Sequence, residues 1–448
     1  MKLLPRRTNT THPVGFHVCC ITVMLERLAY YGIKPILLLF LITSVAQGGL
    51  GIDTTEATIL TANLIAYTAI APMIGGVISD RWLGARYAVT AGILLMAVGY
   101  GMGWLAADIA GINLMILLVS IGTGLFKGNI NTLIGCQYKE QSQLDAAFSI
   151  QYSYINIGTF VGSLVTGYLY LHVFAQEEIL GFRQCFLVAA CYCVVAAIWF
   201  VIHWEKLQGQ GMQPNKYLSA ERGMLTKIER QHIISIVIVA FLSVIFWLFY
   251  FQQDLSLVIY MSEFVNMNVC GFVIPTSWVT TSWNGLLCII LGGVMAKIWK
   301  RLAMRPQGDV TIFSKISYSF AFLGIAFGVM ALCEYLRITD GGSSAQVSVL
   351  WPLIFISLLT IGEMCFSPLR HAMVSKYAPK QYLSLLMGVI ASSSFFANKL
   401  SPYIQIFVNE LKAFTVFAGI FLAMIFLCII LLCMHKKLNS LLGEESQV

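Results

Sequence analysis

Apolar runs of about 20 residues or more recur from one end of this chain to the other, and no other feature restricts its fold so strongly. A run of that length, wound as a helix at about 1.5 Å per residue, crosses roughly 30 Å of hydrocarbon. Twelve such runs are read from the sequence, over residues 16–44, 55–79, 87–107, 111–135, 143–173, 182–203, 232–262, 270–298, 311–336, 348–375, 382–409 and 413–435. A soluble alternative fails on composition: the chain is 58% hydrophobic and only 11% charged, too little polar material to cover a core of that size. The expectation is an all-α integral membrane protein whose outer solvent is the lipid bilayer. Pro13 and a string of polar residues separate the N-terminal basic cluster from the first apolar run, so that run reads as a retained helix rather than a cleaved signal.

Loop charges predict the orientation. With both termini in the cytoplasm, 21 of the 28 Lys and Arg fall on the inside, Arg81, Arg86 and Arg370 among them, and 3 fall outside. The other four, Arg27, Lys34, Lys127 and Lys399, lie within predicted helices. This bias accounts for the net charge of +7 without nucleic acid. The longest polar stretch, 204–231, follows the sixth run and divides the chain into an N-terminal six-helix bundle (1–203), a cytoplasmic connector and a C-terminal six-helix bundle (232–448). That is the layout of major facilitator transporters, in which the substrate site lies between the halves near the bilayer midplane.

The twelve cysteines show no C-x-x-C and no paired Cys/His spacing, so they are expected to pack as small apolar residues, and no metal or cofactor is predicted. Lys127 sits in GTGLFKGN, which is not a phosphate-binding loop, and no hydrolase motif occurs. An enzyme is not expected. Gly158 to Gly162 reads as a close-packing motif, and Asp53-Thr-Thr-Glu56 as a capping box opening the second helix.

A charge in an apolar span costs roughly 2.5–3.5 kcal/mol on insertion scales, so each one needs a reason. Glu26, Arg27 and Lys34 share the first helix with Tyr30 and Tyr31. Lys127 is on the fourth, Asn156 on the fifth, Gln252, Gln253 and Asp254 on the seventh, Asn284 on the eighth and Glu363 on the tenth. Converging on one cavity, these would offer cations to a carboxylate, anions to an amine and amides to peptide-like groups. Internal ion pairs that hold the bundle together are the bland alternative. At the turn between the second and third helices, Gly76, Asp80, Arg81 and Arg86 form a candidate conformational latch.

These residues resemble those of the proton-dependent oligopeptide transporter family, a branch of the major facilitator superfamily, over nearly the whole chain. The first helix, MLERLAYYGIKPIL, is similar to the family's E-x-x-E-R-F-x-Y-Y-G segment, and GGVISDRWLGARYAV to its GG-x-x-x-D-x-x-x-G turn. FSIQYSYINIG, SWNG and GEMCFSP resemble further motifs in the same order. The resemblance implies proton-coupled symport of di- and tripeptides by alternating access, with Arg27, Tyr30, Tyr31, Lys127, Asn156, Asn284 and Glu363 lining the peptide pocket. It further implies that Glu26, Arg27 and Lys127 form a protonation-linked cluster. A monomer in a bacterial inner membrane is expected, with protons as the coupling ion. Two departures bear on coupling: Val23 and Phe251 stand where the family has acids. Asp254, three residues after Phe251, is expected to take over part of the lost role as a gate partner for Lys34, leaving coupling to Glu26 and Glu363. A same-fold transporter of single amino acids or another small organic solute, with weak or no proton coupling, is the alternative.

Overall fold

The computed structural model of the chain describes residues 12–138, 141–212, 225–305, 310–341, 345–379 and 382–442. Within them the helices run α1 (Val14–Ile42), α2 (Thr54–Ile78), α3 (Ala85–Leu105), α4 (Ile109–Gly135), α5 (Gln141–Tyr168), α6 (Phe182–Ile202), α7 (Lys227–Tyr250) and α8 (Ser256–Phe264). They continue as α9 (Trp283–Ala303), α10 (Ile312–Gly341), α11 (Leu350–Tyr377), α12 (Leu383–Leu411) and α13 (Ala413–Ser440). α7 and α8 are one crossing broken by a 3-10 turn at Phe251–Asp254, so the chain crosses twelve times. Nine crossings are long and apolar enough by composition alone. The other three, α1, α5 and α12, are 29, 28 and 29 residues long and carry charged or polar residues turned into the bundle, Glu26, Arg27 and Lys34 on α1, Gln151 and Asn156 on α5, and Asn398 and Gln405 on α12.

Local chemistry moves several expected boundaries. The run predicted from residue 270 is not helical at its start: Asn268 and Val273 pair in a short antiparallel hairpin, closed by Asn268 Oδ1 accepting from the Gly271 N–H at 2.9 Å. The helix begins only after Pro275, through a π turn at Trp278–Ser282 that leads into α9. The fifth crossing likewise ends in a π turn at Leu169–Val173. At the start of α2, Asp53 caps the Thr55 N–H at 2.9 Å. The full capping box opens α7 instead, where the Glu229 N–H donates to Thr226 Oγ1 and Glu229 accepts from the Thr226 N–H. Residues 213–224 of the expected connector lie outside the described residues.

Small residues set the packing on α1. A Cβ on Gly158 would lie 2.7 Å from Arg27 Cβ, and one on Gly162 would lie 2.5 Å from the Leu28 carbonyl, so α5 presses against α1 at the charged turn only because both positions are glycine. α1 also packs on α6, α3 lies on α4 and α6, and α10 is held between α11 and α13. The broadest contacts between the first six helices and the rest are α2 with α12 and α5 with α9 and the turn that leads into it, and they flank a central space. The start of α1, the α2–α3 turn and the segment after α6 meet at one end, where the Arg86 N–H donates to Gly211 O at 3.0 Å. That end is called the terminal end below.

Candidate substrate cavity

Between the two sets of helices lies a cavity of about 250 Å³, far more than the ~10–15 Å³ that one water needs. From the first six helices its wall takes Arg27, Tyr30, Tyr31 and Lys34 of α1, Thr68 of α2, Lys127 of α4, and Tyr152 and Asn156 of α5. From the remainder come Trp247, Tyr250, Phe251 and Asp254 at the α7 break, Asn284 and Cys288 of α9, Glu363 and Arg370 of α11, and Asn398 of α12.

Two cations are paired. Arg27 chelates its neighbour Glu26, with Nη2 donating to Oε1 at 2.8 Å and Nε to Oε2, and both side chains are buried. Its guanidinium carbon also lies 5.2 Å from the Tyr30 ring centroid. Lys34 Nζ meets Asp254 Oδ2 at 2.7 Å, an ion pair that joins α1 to the broken seventh crossing. The break makes this possible. Had α7 continued unbroken, Asp254 would stay on its helical path; the 3-10 turn redirects Phe251–Asp254 and buries all four residues.

On the far wall Glu363 is held by neutral donors. It accepts from Tyr250 Oη at 2.5 Å and from Asn284 Nδ2 at 3.2 Å, and Asn284 also donates to Thr360 Oγ1 at 2.9 Å. Tyr30 Oη shares a hydrogen bond with Thr68 at 3.0 Å, and Asn156 Nδ2 donates to Tyr152 O at 2.9 Å. Lys127 faces the cavity with no hydrogen-bond or ion-pair partner among the described residues. Of the expected pocket residues, Arg27, Tyr30, Tyr31, Lys127, Asn156, Asn284 and Glu363 all line the one cavity, while Glu26 stands behind Arg27.

Other expectations change. Arg370, counted as an inside loop charge, lies within α11 and lines the cavity, its guanidinium 4.7 Å from the Trp247 ring centroid. It sits two turns beyond Glu363 on the same helix face, a spacing visible in the sequence but masked there by its place near a helix end. Tyr152, Trp247 and Tyr250 are further lining residues that the charge-centred reading passed over. Gln252 serves structure, donating to Ser401 O at 3.2 Å and accepting from Ser256 Oγ at 2.7 Å. Lys399 spans the two sets of helices, donating to Asn63 Oδ1 at 2.6 Å and to Tyr67 Oη at 2.8 Å. At the expected latch the packing glycine is Gly75, whose Cβ would lie 2.1 Å from Gly124 O, whereas a Cβ on Gly76 would meet nothing within 4 Å. Arg81 is exposed, Asp80 is half-buried in a π turn, and Arg86 is buried over the Trp204 ring at 5.8 Å.

The end opposite the terminal end is closed. Ser163 Oγ donates to Ser277 O at 2.9 Å, and Trp278 Nε1 to Leu164 O at 2.9 Å, stitching α5 to the entry of α9. Towards the terminal end a second cavity of about 760 Å³ opens between α5, α9 and α11 as far as Phe148 and Trp299, and it shares Tyr152, Asn156 and Cys288 with the first.

A twelve-crossing bundle with a charged cavity between two sets of helices defines a multi-pass membrane protein of the transporter class. The chain belongs to the Major Facilitator Superfamily, whose family model matches residues 19–402. It is 25% identical to the peptide transporter YePEPT of Yersinia enterocolitica, with 98% of each chain covered. It is 23% identical to the dipeptide and tripeptide permease A of Citrobacter koseri, covering 97% of this chain and 94% of that one. Among solved structures, the peptide transporter POT in complex with sulfate superposes with a TM-score of 0.88 at 25% identity, over 98% of this chain and 97% of that one. A mutant of peptide transporter POT, in complex with alafosfalin, matches with the same score, identity and coverage.

Proposed function

We propose that the chain takes up di- and tripeptides together with protons by alternating access. The observation that carries this reading is the division of charge across the cavity: an unpaired cation, Lys127, on one wall and a carboxylate held by neutral donors, Glu363, on the other. A zwitterionic peptide fits that division, with its amino group at Glu363 and its carboxylate at Lys127 and Arg27. Tyr30, Tyr31, Asn156 and Asn284 complete the wall around it. Relatives named as peptide transporters and permeases support the same substrate class.

Binding at Arg27 also supplies a route to coupling. A substrate carboxylate competes with Glu26 for one guanidinium, and a buried Glu26 that loses its partner favours its neutral, proton-bearing form. Glu363 is the second proton acceptor of the scheme, and Lys34–Asp254 is the gate at the closed end. The terminal end faces the cytoplasm, the division at 204–231 separates two moving bodies (1–203 and 232–448), and the molecule works as a monomer in the cell membrane. Gly76, Asp80, Arg81 and Arg86, between the end of α2 and the start of α3, form the latch of the cytoplasmic turn. The loss of acids at Val23 and Phe251 favours one second reading, a uniporter of peptides or smaller amino-acid-like solutes.

Uptake of labelled dialanine into proteoliposomes, with and without an inward proton gradient, tests the proposal. Accumulation above equilibrium only with the gradient is the expected result. Equilibration that ignores the gradient would select the uniporter, and absence of dialanine flux in folded protein would overturn the peptide reading.

A further inference from the structure

We propose that Arg370 makes this cavity selective for peptides that carry a second anionic group, an acidic side chain above all; the inference rests on the peptide reading and names a preference within it. The charge inventory of the wall leads there. Before a substrate binds, Arg27 is matched by Glu26 and Lys34 by Asp254, which leaves two cations, Lys127 and Arg370, facing one unmatched carboxylate, Glu363, among the described lining residues. A zwitterion whose amine engages Glu363 supplies one carboxylate for two cations. The second cation then remains uncompensated in a region of low dielectric, where an unmatched charge is costly.

The geometry of Arg370 suits the missing anion. Its guanidinium is braced against Trp247, and its one hydrogen bond, from Nη1 to Ser394 Oγ, is long at 3.4 Å. Nε is buried without a hydrogen-bond partner. A planar fork so placed has a donor edge to offer a carboxylate in two-point contact. Arg370 is seven residues from Glu363, about 10.5 Å along α11 and on the same face. A dipeptide, whose extended backbone reaches about 7 Å, anchors its amine at Glu363, turns its α-carboxylate across to Lys127, and extends a Glu or Asp side chain along α11 towards Arg370.

Displacement of labelled dialanine from the purified full chain in detergent, at pH 7, tests this with Ala-Glu, its near-isostere Ala-Gln, and Ala-Lys. Wild type is expected to bind Ala-Glu about tenfold more tightly than Ala-Gln, the effect of one charge-assisted contact. Arg370→Gln is expected to bring that ratio close to one, and Arg370→Glu to turn the preference towards Ala-Lys. A structural role alone would weaken all three peptides together. Dialanine binding with equal wild-type affinities for Ala-Glu and Ala-Gln would overturn the inference while leaving the peptide reading intact. So would an Ala-Glu preference that survives Arg370→Gln. If dialanine itself does not bind wild type, both fall.

Discussion

Asp254→Asn should open the end of the molecule that Lys34–Asp254 closes. The pair is 2.7 Å long, with side chains 9% and 1% exposed, so the substitution leaves the Lys34 ammonium buried and unmatched. Removing one member of a buried ion pair costs about 3–5 kcal/mol in the state that buries it. The Tyr31 and Phe251 rings, with centroids 5.7 and 5.9 Å from Nζ, return roughly 1 kcal/mol between them. Water solvates both groups once the gate opens, so the open state is spared, and the closed state loses about 2–4 kcal/mol relative to it. A closed population of about 99% would fall to between about 75% and 10%. The assay is the electron–electron dipolar distance between spin labels on Cys270, exposed at the tip of the hairpin before α9, and on Glu178→Cys, in the α5–α6 loop. The other exposed cysteines, Cys136, Cys191 and Cys433, are replaced by serine. A new long-distance population should appear with Asp254→Asn and shrink when Lys34→Met removes the stranded charge. An unchanged distribution in Asp254→Asn would refute the reasoning, because a pair without influence on the closed state is no gate.

Three further substitutions separate function from packing. Glu363→Gln removes the only acid on the α11 wall among the described lining residues and should lower kcat/KM for dialanine uptake by about 100-fold, a few kcal/mol of lost charge pairing; a change below threefold would take the amine-binding role from Glu363. Gly75→Ala should lower the melting temperature in detergent by more than about 3 °C, since the new methyl meets the Gly124 backbone at 2.1 Å, whereas Gly76→Ala should be neutral or stabilising. The reverse order would restore Gly76 as the packing glycine.

Much of this was legible in the sequence because membrane insertion penalises charge. Twelve crossings followed from apolar length, and the seven expected pocket residues line one cavity, as charges and amides placed in apolar spans require a shared polar interior. What escaped depends on backbone events that periodicity does not encode. The 3-10 break at Phe251–Asp254 and the π turn at Trp278–Ser282 re-aim side chains without changing composition, and the hairpin at 268–273 hides in an otherwise apolar run. Arg370 escaped for a different reason. An arginine near the inner end of a predicted helix counts equally well towards the positive-inside bias, and only its position over Trp247 shows that it faces inward.

The distribution of polarity also accounts for why α1, α5 and α12 are crossings interrupted by charged or polar residues. A helix whose whole circumference faces lipid or packed neighbours gains nothing from charge, and α13, the outermost and most apolar crossing, has only a third of its apolar window buried. α1, α5 and α12 instead stand where the two sets of helices meet: α1 brings Lys34 to Asp254, α5 abuts α9, and α12 sends Lys399 across to Asn63 and Tyr67 of α2. Polar contacts at such a seam suit surfaces that must part, because water can replace a hydrogen bond or an ion pair at modest cost, whereas separating two apolar faces loses their contact outright. The closed end is accordingly fastened by polar contacts, among them the Lys34–Asp254 ion pair, the reciprocal hydrogen bonds of Ser163 and Ser277, Trp278 to Leu164 and the His172–Val273 contact, each of which can be remade with water when the seam opens.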